Sequence, residues 1–390
     1  MAKYEIKNGA AIFPEGITII EREAFRNCEE LTSVTIPQSV TEIRGLAFYC
    51  CKGLTDVVIP KGVTSIGLEA FAGCSNLRSI VVEEGNPNYE SPNNCNAIIA
   101  KASDRFPVTL VVGCCNTVIP DGVEVIGPSA FIYCKDLTSI NIPESVKTIG
   151  SCAFFACSGL TGIKIPKSVV QIDETDVFGH CNSLVSIVVE EGNPIYDSRD
   201  NCNAIIENGT TLILGCCNSI IPVGVTTIGR SAFSGSGLTN VTLPEGVKTI
   251  KEYAFSKCSS LSQVLIPDTV EEIGTSAFRG SGLTTVVIPE KVRNLHGTFL
   301  RCNNLKSAIV KGKLEDYRTD CTFPFMDCPS LETLTFIDCV RYIKEESCHG
   351  CKSLKAIYVP AKKGDYYKKR FAEELHPIIV ELEPVKKVKK

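Results

Sequence analysis

Short apolar alternations, separated by prolines and glycines, recur along the chain. Val34 and Ile36 alternate with the polar residues Ser33 and Thr35, which predicts a short strand with one buried face. Pro37 follows and lacks an N–H group, so it ends the ladder of hydrogen bonds. A V-x-x-I segment then turns a second apolar edge inward. One such unit cannot bury its own apolar face, so the pattern predicts a stack of units.

The full repeat reads A-F-x-x-C-x-x-L-x-x-V-x-I-P-x-x-V-x-x-I-G-x-x. Its first half has helical spacing but is long enough for only one or two turns. A cysteine takes the aromatic position of the last unit, Cys348, which brings the count to about 12 repeats. The aromatic position is otherwise held by Phe25, Phe48, Phe71, Phe131, Phe154, Phe178, Phe233, Phe255, Phe278, Phe299 and Phe325.

This unit resembles the BspA-like bacterial class of leucine-rich repeats, whose hallmark is I-G-x-x-A-F-x-x-C-x-x-L-x-x-V-x-I-P. The resemblance spans about residues 10 to 360. It implies a leucine-rich repeat solenoid that is β-rich, with a curved parallel sheet, short helical turns and loops. Ser39, Ser145 and Thr269 stand where the commoner leucine-rich pattern carries asparagine, so the usual asparagine ladder is not expected.

We expect one solenoid over residues 1–390, with an N-terminal cap at 1–13, repeats at 14–360 and a C-terminal cap with a basic tail at 361–390. Two units are longer and contain matching segments, GNPNYESPNNCNAII…TLVVGCCNTVIP and GNPIYDSRDNCNAII…TLILGCCNSIIP. Each predicts an inserted β-hairpin, near 85–118 and 192–220. In the C-terminal cap, GDYYKKRFAEELHP predicts a short amphipathic helix stopped by Pro377, and IIVEL a last strand.

Composition and charge exclude some classes of partner. Hydrophobic residues make up 44% of the chain and charged residues 22%, as in a folded domain. The net charge of −4 gives no reason to expect a nucleic acid. No run of about 18 apolar residues is present, so no membrane span is predicted. The start of the sequence lacks an apolar signal core, which leaves localisation open between the cytoplasm and a cell surface reached with a signal that is absent from this chain.

Cysteine is abundant, at 21 residues, and about half of these occupy one repeat position. Coils about 4.8 Å apart do not exclude disulfides by distance. We favour buried, unpaired thiols, because Ser236 and Ser281 replace cysteine in two units. The column consists of Cys28, Cys51, Cys74, Cys134, Cys157, Cys181, Cys258, Cys302, Cys328 and Cys351.

Candidates for chemistry are weak. The vicinal pairs Cys114-Cys115 and Cys216-Cys217 and the Cys348-His349-Gly350-Cys351 motif have a metal or redox interpretation, but packing in the repeat explains them better. The four histidines lie in different units or in the C-terminal cap. Glu83-Glu84 and Glu190-Glu191 precede Gly-Asn-Pro turns and are interpreted as solvated edges. We therefore expect no enzyme, no catalytic residues, no metal site and no cofactor.

Two surfaces are candidates for binding. The first is a strip of uncharged residues on the concave face, which alternate with the buried strand residues; the second is the pair of hairpins. We expect a non-catalytic protein-interaction scaffold, and the resemblance implies adhesion to a host or matrix protein at the cell surface. The alternative is a carbohydrate-binding or purely structural repeat protein. The strip comprises Ser33, Thr35, Ser139, Asn141, Asn240, Thr242, Gln263, Thr285, Thr333 and Thr335, and the hairpins offer Tyr89, Asn94, Tyr196 and Arg199.

Overall fold

A computed structural model describes residues 3–314, 323–340, 343 and 345–383. The chain divides into two compact units, Met1–Asp197 and Ser198–Lys390. Each unit is a β-solenoid in which short parallel strands from successive repeats stack on one another, as the repeat predicts.

The first unit contains sixteen of the described strands. They are β1 (Glu5–Lys7), β2 (Ala10–Ile12), β3 (Ile19–Ile20), β4 (Glu42–Ile43), β5 (Asp56–Ile59), β6 (Ser65–Ile66), β7 (Ser79–Val82), β8 (Tyr89–Glu90), β9 (Ala97–Ala100), β10 (Thr109–Gly113), β11 (Val125–Ile126), β12 (Thr148–Ile149), β13 (Gly162–Ile165), β14 (Gln171–Ile172), β15 (Ser186–Val189) and β16 (Tyr196–Asp197). A 3-10 helix lies at Pro92–Asn94.

The second unit contains twelve described strands and most of the helix. The strands are β17 (Ala204–Glu207), β18 (Thr211–Gly215), β19 (Thr227–Ile228), β20 (Asn240–Thr242), β21 (Thr249–Ile250), β22 (Gln263–Leu265), β23 (Glu272–Ile273), β24 (Thr285–Ile288), β25 (Ser307–Val310), β26 (Thr333–Phe336), β27 (Ala356–Val359) and β28 (Ile379–Glu381). The α-helix α1 spans Gly364–Lys368, and 3-10 helices span Arg199–Asn201, Glu345–Cys348 and Glu373–Ile378.

Each coil contributes up to two strands, and equivalent residues of neighbouring coils are in register. In most coils the V-x-I segment forms the longer strand, as where Val57 of β5 pairs with Ile80 of β7. The strand predicted at Val34 and Ile36 is not formed, and neither is one at the equivalent residues Ile140 and Ile142. The V-x-x-I segment forms a two-residue strand, which we call the V-x-x-I strand. Ile20, Ile43 and Ile66 follow one another in this way across β3, β4 and β6. The strict register places every buried aliphatic side chain over its equivalent in the coil below.

A column of phenylalanine rings fills the core opposite the strands. In the first unit Phe25, Phe48 and Phe71 stack with centroids 5.3 and 5.0 Å apart. A second column runs from Phe131 to Phe178. In the second unit five rings stack from Phe233 to Phe325, with spacings of 5.1 to 5.4 Å. Offset stacking of this kind adds to the free energy that burial of the rings already contributes.

The Ala-Phe segment of each coil forms a series of tight turns with little helix. In the turn at residues 44–51, Ala47, Tyr49 and Cys51 each donate an N–H to the carbonyl three residues earlier. Leu46 and Cys50 have φ values of 60° and 56°. The intervening N–H groups point forward, to the next coil. The N–H groups at the V-x-x-I strands point back to the preceding coil, as where Arg44 donates to Ile20 O at 2.9 Å.

The two long units each contain an antiparallel pair. Strand β9 pairs with β10, and β17 pairs with β18, both with a local irregularity in register. Strands β10 and β18 also pair in parallel with the V-x-x-I strands β11 and β19 of the following coils. That each pair is a hairpin inserted into an ordinary coil stays a prediction.

The chain ends also carry regular structure. Near the N terminus β1 and β2 pair antiparallel. Near the C terminus the single helix expected before Pro377 is two pieces, α1 and the 3-10 helix Glu373–Ile378, and Pro377 lies inside the second piece. Phe371 separates them, because its side chain is buried in the core. The last strand, β28, pairs in parallel with β27. The basic tail at 384–390 lies outside the described residues.

Candidate functional site

The outward face of the longer strands in the second unit is a continuous uncharged surface. Across β24 to β28 the registered positions run Val287, Ile309, Thr335, Tyr358 and Val380. Val287 and Val380 are 40% and 44% exposed. The five strands thus carry a column of mainly apolar side chains, exposed at its two ends and half-buried at the three positions between them, which we call the apolar column.

Beside the apolar column runs a parallel column of small side chains, of which Thr285, Ser307 and Thr333 carry hydroxyl groups and the last, Ala356, is apolar. Thr285 is exposed, whereas Thr333 and Thr335 are half-buried. Strands β20 and β22 add the exposed residues Asn240, Thr242 and Gln263, together with Leu265, which is 73% exposed. Alternation within a strand places all of these side chains on the outward face.

The equivalent face of the first unit is less uniform. Ser33, Thr35, Ser139 and Asn141 are exposed, as the alternation predicts. Val58 and Val81 pair across β5 and β7 and are 45% and 41% exposed. Charges interrupt this face at Asp56 and at Lys164, whose ammonium group lies 3.0 Å from the carboxylate of Glu190.

The tyrosines of the predicted hairpins pack against the coil before them. Tyr196 is 3% exposed, and its hydroxyl accepts a hydrogen bond from Ile172 N at 2.8 Å. Tyr89 is half-buried, and its hydroxyl accepts from Ile66 N at 2.9 Å. Burial removes Tyr196 from any contact surface. Asn94 is exposed with φ of 53°, and Arg199 is half-buried.

Two asparagines of the Gly-Asn-Pro turns hold these segments in place, and the sequence interpretation missed them. Asn86 is 1% exposed; its amide nitrogen donates to Pro60 O and Val63 O at 3.0 and 2.8 Å. Its amide oxygen accepts from the N–H groups of Asn88 and Tyr89. Asn193 makes the same four bonds in its own turn. The signal was the identical Asn in both long units, since a buried amide must find partners for both of its ends.

The glutamates before these turns bind backbone rather than substrate. Glu83 accepts hydrogen bonds from Lys61 N and Gln38 Nε2, and these bonds lower the pKa of its carboxyl group. The carboxyl group of Glu190 accepts from Lys164 Nζ at 3.0 Å and Lys167 N at 3.2 Å, and these bonds help to lower its pKa to about 2. Both groups are half-buried carboxylates that tie one coil to another.

The cysteine column is a column of buried thiols, as the sequence interpretation favoured. The cysteines in the described residues are free. Each column thiol after the first of a run donates to the phenylalanine carbonyl of the preceding coil, at 3.0 Å from Cys51 to Phe25 O and from Cys157 to Phe131 O. Burial raises the pKa of the Cys51 and Cys258 thiols to about 12. A thiol held protonated in this way is a poor nucleophile and a poor metal ligand.

The remaining candidates for chemistry do not converge. Cys348 and Cys351 are buried in the positions that the repeat assigns to phenylalanine and cysteine. His349 is largely exposed, and its Nδ1 lies 3.6 Å from Asp327 Oδ1. Over residues 3–314, 323–340, 343 and 345–383, no group of three or more His, Cys, Asp or Glu side chains is placed to hold a metal ion.

A family model for the BspA type leucine rich repeat region, in six copies, matches residues 4–97, 113–204, 226–355 and 321–379. This chain belongs to the BspA-type leucine-rich repeat family. The fold of this family is typically non-catalytic. No curated protein matches the chain.

Several solved protein structures, among them leucine-rich repeat proteins, are similar to this chain. A leucine rich cell surface protein from Faecalibacterium prausnitzii is 26% identical, with a TM-score of 0.57 over 90% of this chain and 85% of that one. A leucine-rich repeat protein from Eubacterium ventriosum is 22% identical, with a TM-score of 0.55 over 84% and 79%. The pneumococcal vaccine antigen PcpA is 18% identical, with a TM-score of 0.53 over 90% and 80%. The last two show the fold alone.

Within the part of the chain that the structure describes, no helix has the length and hydropathy needed to cross a bilayer.

Proposed function

We propose that this chain is a non-catalytic protein-binding scaffold and that the outward strand face of the second unit makes the contact. The apolar column supports this proposal. It places Val287, Ile309, Thr335, Tyr358 and Val380 on five adjacent strands, with a column of mostly hydroxyl side chains beside it and no charged side chain at these positions. The cores of protein interfaces are depleted of charge in the same way.

The exposed apolar side chains on this face also support a contact site. Contiguous exposed apolar surface costs solvation free energy, and on soluble proteins it commonly marks a contact site. Leu265, at 73% exposed, extends the apolar column toward β20. The face lacks arginine and tryptophan, the usual anchors of tight interfaces. We therefore expect a broad contact whose affinity comes from several coils together.

We propose further that the partner is a protein outside the cell, such as a host or matrix protein. The support is the similarity to the Faecalibacterium prausnitzii protein, which is described as a cell surface protein. The uncharged hydroxyl column would also suit a carbohydrate, and that alternative is resolved by the experiment below.

The test measures binding of the full chain to a panel of purified matrix proteins and to a glycan array. In the variant Val287→Glu with Thr335→Glu, two carboxylates enter the apolar column, and we expect binding to a matrix protein to fall at least about tenfold, as when a charge is placed in an interface core. Val223→Glu is the control, because Val223 is 87% exposed in a turn away from this face. Equal loss in the control, or binding to glycans alone, would overturn the proposal.

A further inference from the structure

In the complete coils of the first unit, each Ala-Phe turn donates three N–H groups forward. Leu46, Phe48 and Cys50 donate to the carbonyls of Leu68, Ala70 and Ala72, at 3.1, 2.7 and 2.8 Å. The turn at residues 67–74 has the same conformation, and its equivalent donors are the N–H groups of Glu69, Phe71 and Gly73. Among the described residues, none of these three N–H groups has a hydrogen-bond acceptor.

The donors lack partners because the coil that follows has no Ala-Phe turn. We call it the short coil. Its V-x-x-I strand is β10, and Gly113 occupies the phenylalanine position. A Cβ added to Gly113 would lie 2.2 Å from Cε1 of Phe131. The Gly113 carbonyl also replaces a phenylalanine carbonyl as the nearest acceptor for the Cys134 thiol, at 3.9 Å. The inner part of the missing turn is therefore closed by Gly113 and the Phe131 ring.

The outer part of the missing turn is only partly filled, because the Tyr133 ring reaches to 3.3 Å from where a Cβ on Gly73 would lie. A cavity of about 250 Å³ separates the turn at 67–74 from the turn at 127–134, and we call it the notch. Leu68 lines it and is 67% exposed, so the notch opens to solvent. On its far wall, the carbonyls of Pro128, Ala130 and Ile132 correspond to the acceptors of a complete coil. Only the Ala130 carbonyl is bonded, by Gly113 N at 2.8 Å; within the described residues the other two have no donor.

The notch therefore has one wall of donors and one wall of acceptors, which is the hydrogen-bonding pattern that a length of main chain satisfies. An anion would suit the donor wall alone. It would face the two carbonyls opposite and the carboxylate of Glu69, which accepts a hydrogen bond from Ser129 Oγ at 2.9 Å across the notch. No lysine or arginine lines the notch to offset that repulsion.

We propose that the notch binds a short peptide segment of a partner protein in the conformation of the missing Ala-Phe turn. The peptide's carbonyls accept from the N–H groups of Glu69, Phe71 and Gly73, and its N–H groups donate to the Pro128 and Ile132 carbonyls. Main-chain bonds supply the affinity, as in strand addition to a sheet edge. Because Gly113 and Phe131 close the inner side, residues facing inward must be small. This site is separate from the apolar column and does not depend on the function proposed for it.

The experiment uses the whole chain and a blocked synthetic peptide with the sequence of residues 45–50 carrying Phe48→Ala and Cys50→Ser. This peptide restores the missing turn without the side chain that the notch excludes. Amide exchange is followed residue by residue. In the free protein we expect the amides of Glu69, Phe71 and Gly73 to exchange about 100-fold faster than those of Leu46, Phe48 and Cys50. Excess peptide should slow these three amides at least about tenfold.

Two variants locate the effect. Val111 lines the notch and is half-buried, so Val111→Phe should fill it and abolish the protection by peptide. Val118 lies in the same short coil, is 69% exposed and does not line the notch, so Val118→Phe should leave the protection unchanged.

Four outcomes would overturn the proposal. The first is protection of the three amides in the free chain. The second is protection by inorganic phosphate but not by peptide, which would make the notch an anion site. The third is protection that grows with protein concentration alone, which would assign the notch to a second copy of the chain. The fourth is unchanged peptide protection in Val111→Phe.

Discussion

Two successive turns of the first unit have the same conformation in different surroundings. The turn at 44–51 is covered by a complete coil and donates three N–H groups to it, whereas the turn at 67–74 faces the short coil and donates none. Both have positive φ at equivalent positions, 60° and 56° at Leu46 and Cys50, 57° and 75° at Glu69 and Gly73. The turn conformation is thus set within the repeat, and the forward hydrogen bonds are a separate property that depends on the next coil.

The largest expected difference between the covered and the uncovered turn concerns their apolar side chains. Phe48 is fully buried between Phe25 and Phe71, so Phe48→Ala should lower the free energy of unfolding by about 3–5 kcal/mol. Replacing Leu68, at the notch, with alanine should lower the free energy of unfolding by less than about 0.5 kcal/mol. Urea denaturation of both variants measures the contrast. A similar loss for Leu68→Ala would mean that the notch is closed in solution.

A smaller effect is expected where the short coil meets the complete one. Gly113→Ala places a Cβ 2.2 Å from the Phe131 ring, so the overpacked core should lose about 1–3 kcal/mol. Gly162→Ala is the matched control, because its Cβ would make only an ordinary contact, 3.6 Å from Ser186 Cβ. Thermal unfolding of the two variants measures the difference in stability. If Gly113→Ala were as stable as the control, the ring would have room to move and the short coil would not be closed on its inner side.

The smallest effect concerns the thiols of complete coils at alkaline pH. Burial raises the pKa of Cys51 from 9.0 to about 12. The folded state therefore holds the proton more tightly than the unfolded state; this contribution to stability is complete below pH 9 and is lost as pH rises through 12. Cys51→Ser should make the decline in unfolding free energy between pH 9 and 11 shallower by about 1.4 kcal/mol per pH unit.

The reverse change supplies the control for that slope. Ser281 is 2% exposed at a cysteine position of the repeat, so Ser281→Cys should steepen the decline by a similar amount. Denaturant unfolding at several alkaline pH values measures both variants. Equal slopes in the two variants and the parent protein would show that the column thiols ionise without unfolding.

The repeated pattern was enough to predict the column positions and the alternation of buried and exposed residues. Val34 and Ile36 are buried while Ser33 and Thr35 are exposed, but residues 34–36 form no strand, and Ser33 makes only an isolated bridge to Ala10. The cysteine position could also be interpreted correctly, since serine replaced it. What could be predicted is in each case a property of one coil and its identical neighbour.

Features that depend on a coil unlike its neighbour could not be predicted. Tyr196 resembled a surface tyrosine of a loop, yet its hydroxyl bonds Ile172 N in the previous coil. The three unpaired N–H groups at the notch follow from the Ala-Phe turn that the short coil lacks, and no residue in the turn at 67–74 signals this. The contact role of the strand faces likewise depends on a partner, and alternation shows only that those side chains are free to meet one.

The two directions of hydrogen bonding between coils have an electrostatic consequence. The N–H groups of the turns point toward the following coil, as from Phe48 to Ala70 O. The N–H groups beside the V-x-x-I strands point toward the preceding coil, as from Gly67 to Ile43 O. The peptide dipoles on the two sides of a coil therefore oppose one another, unlike those of an α-helix, which add along its axis. Adding a whole coil therefore changes the net dipole less than adding the same number of residues to an α-helix would, so the length of such a protein can change by duplication at a smaller electrostatic cost.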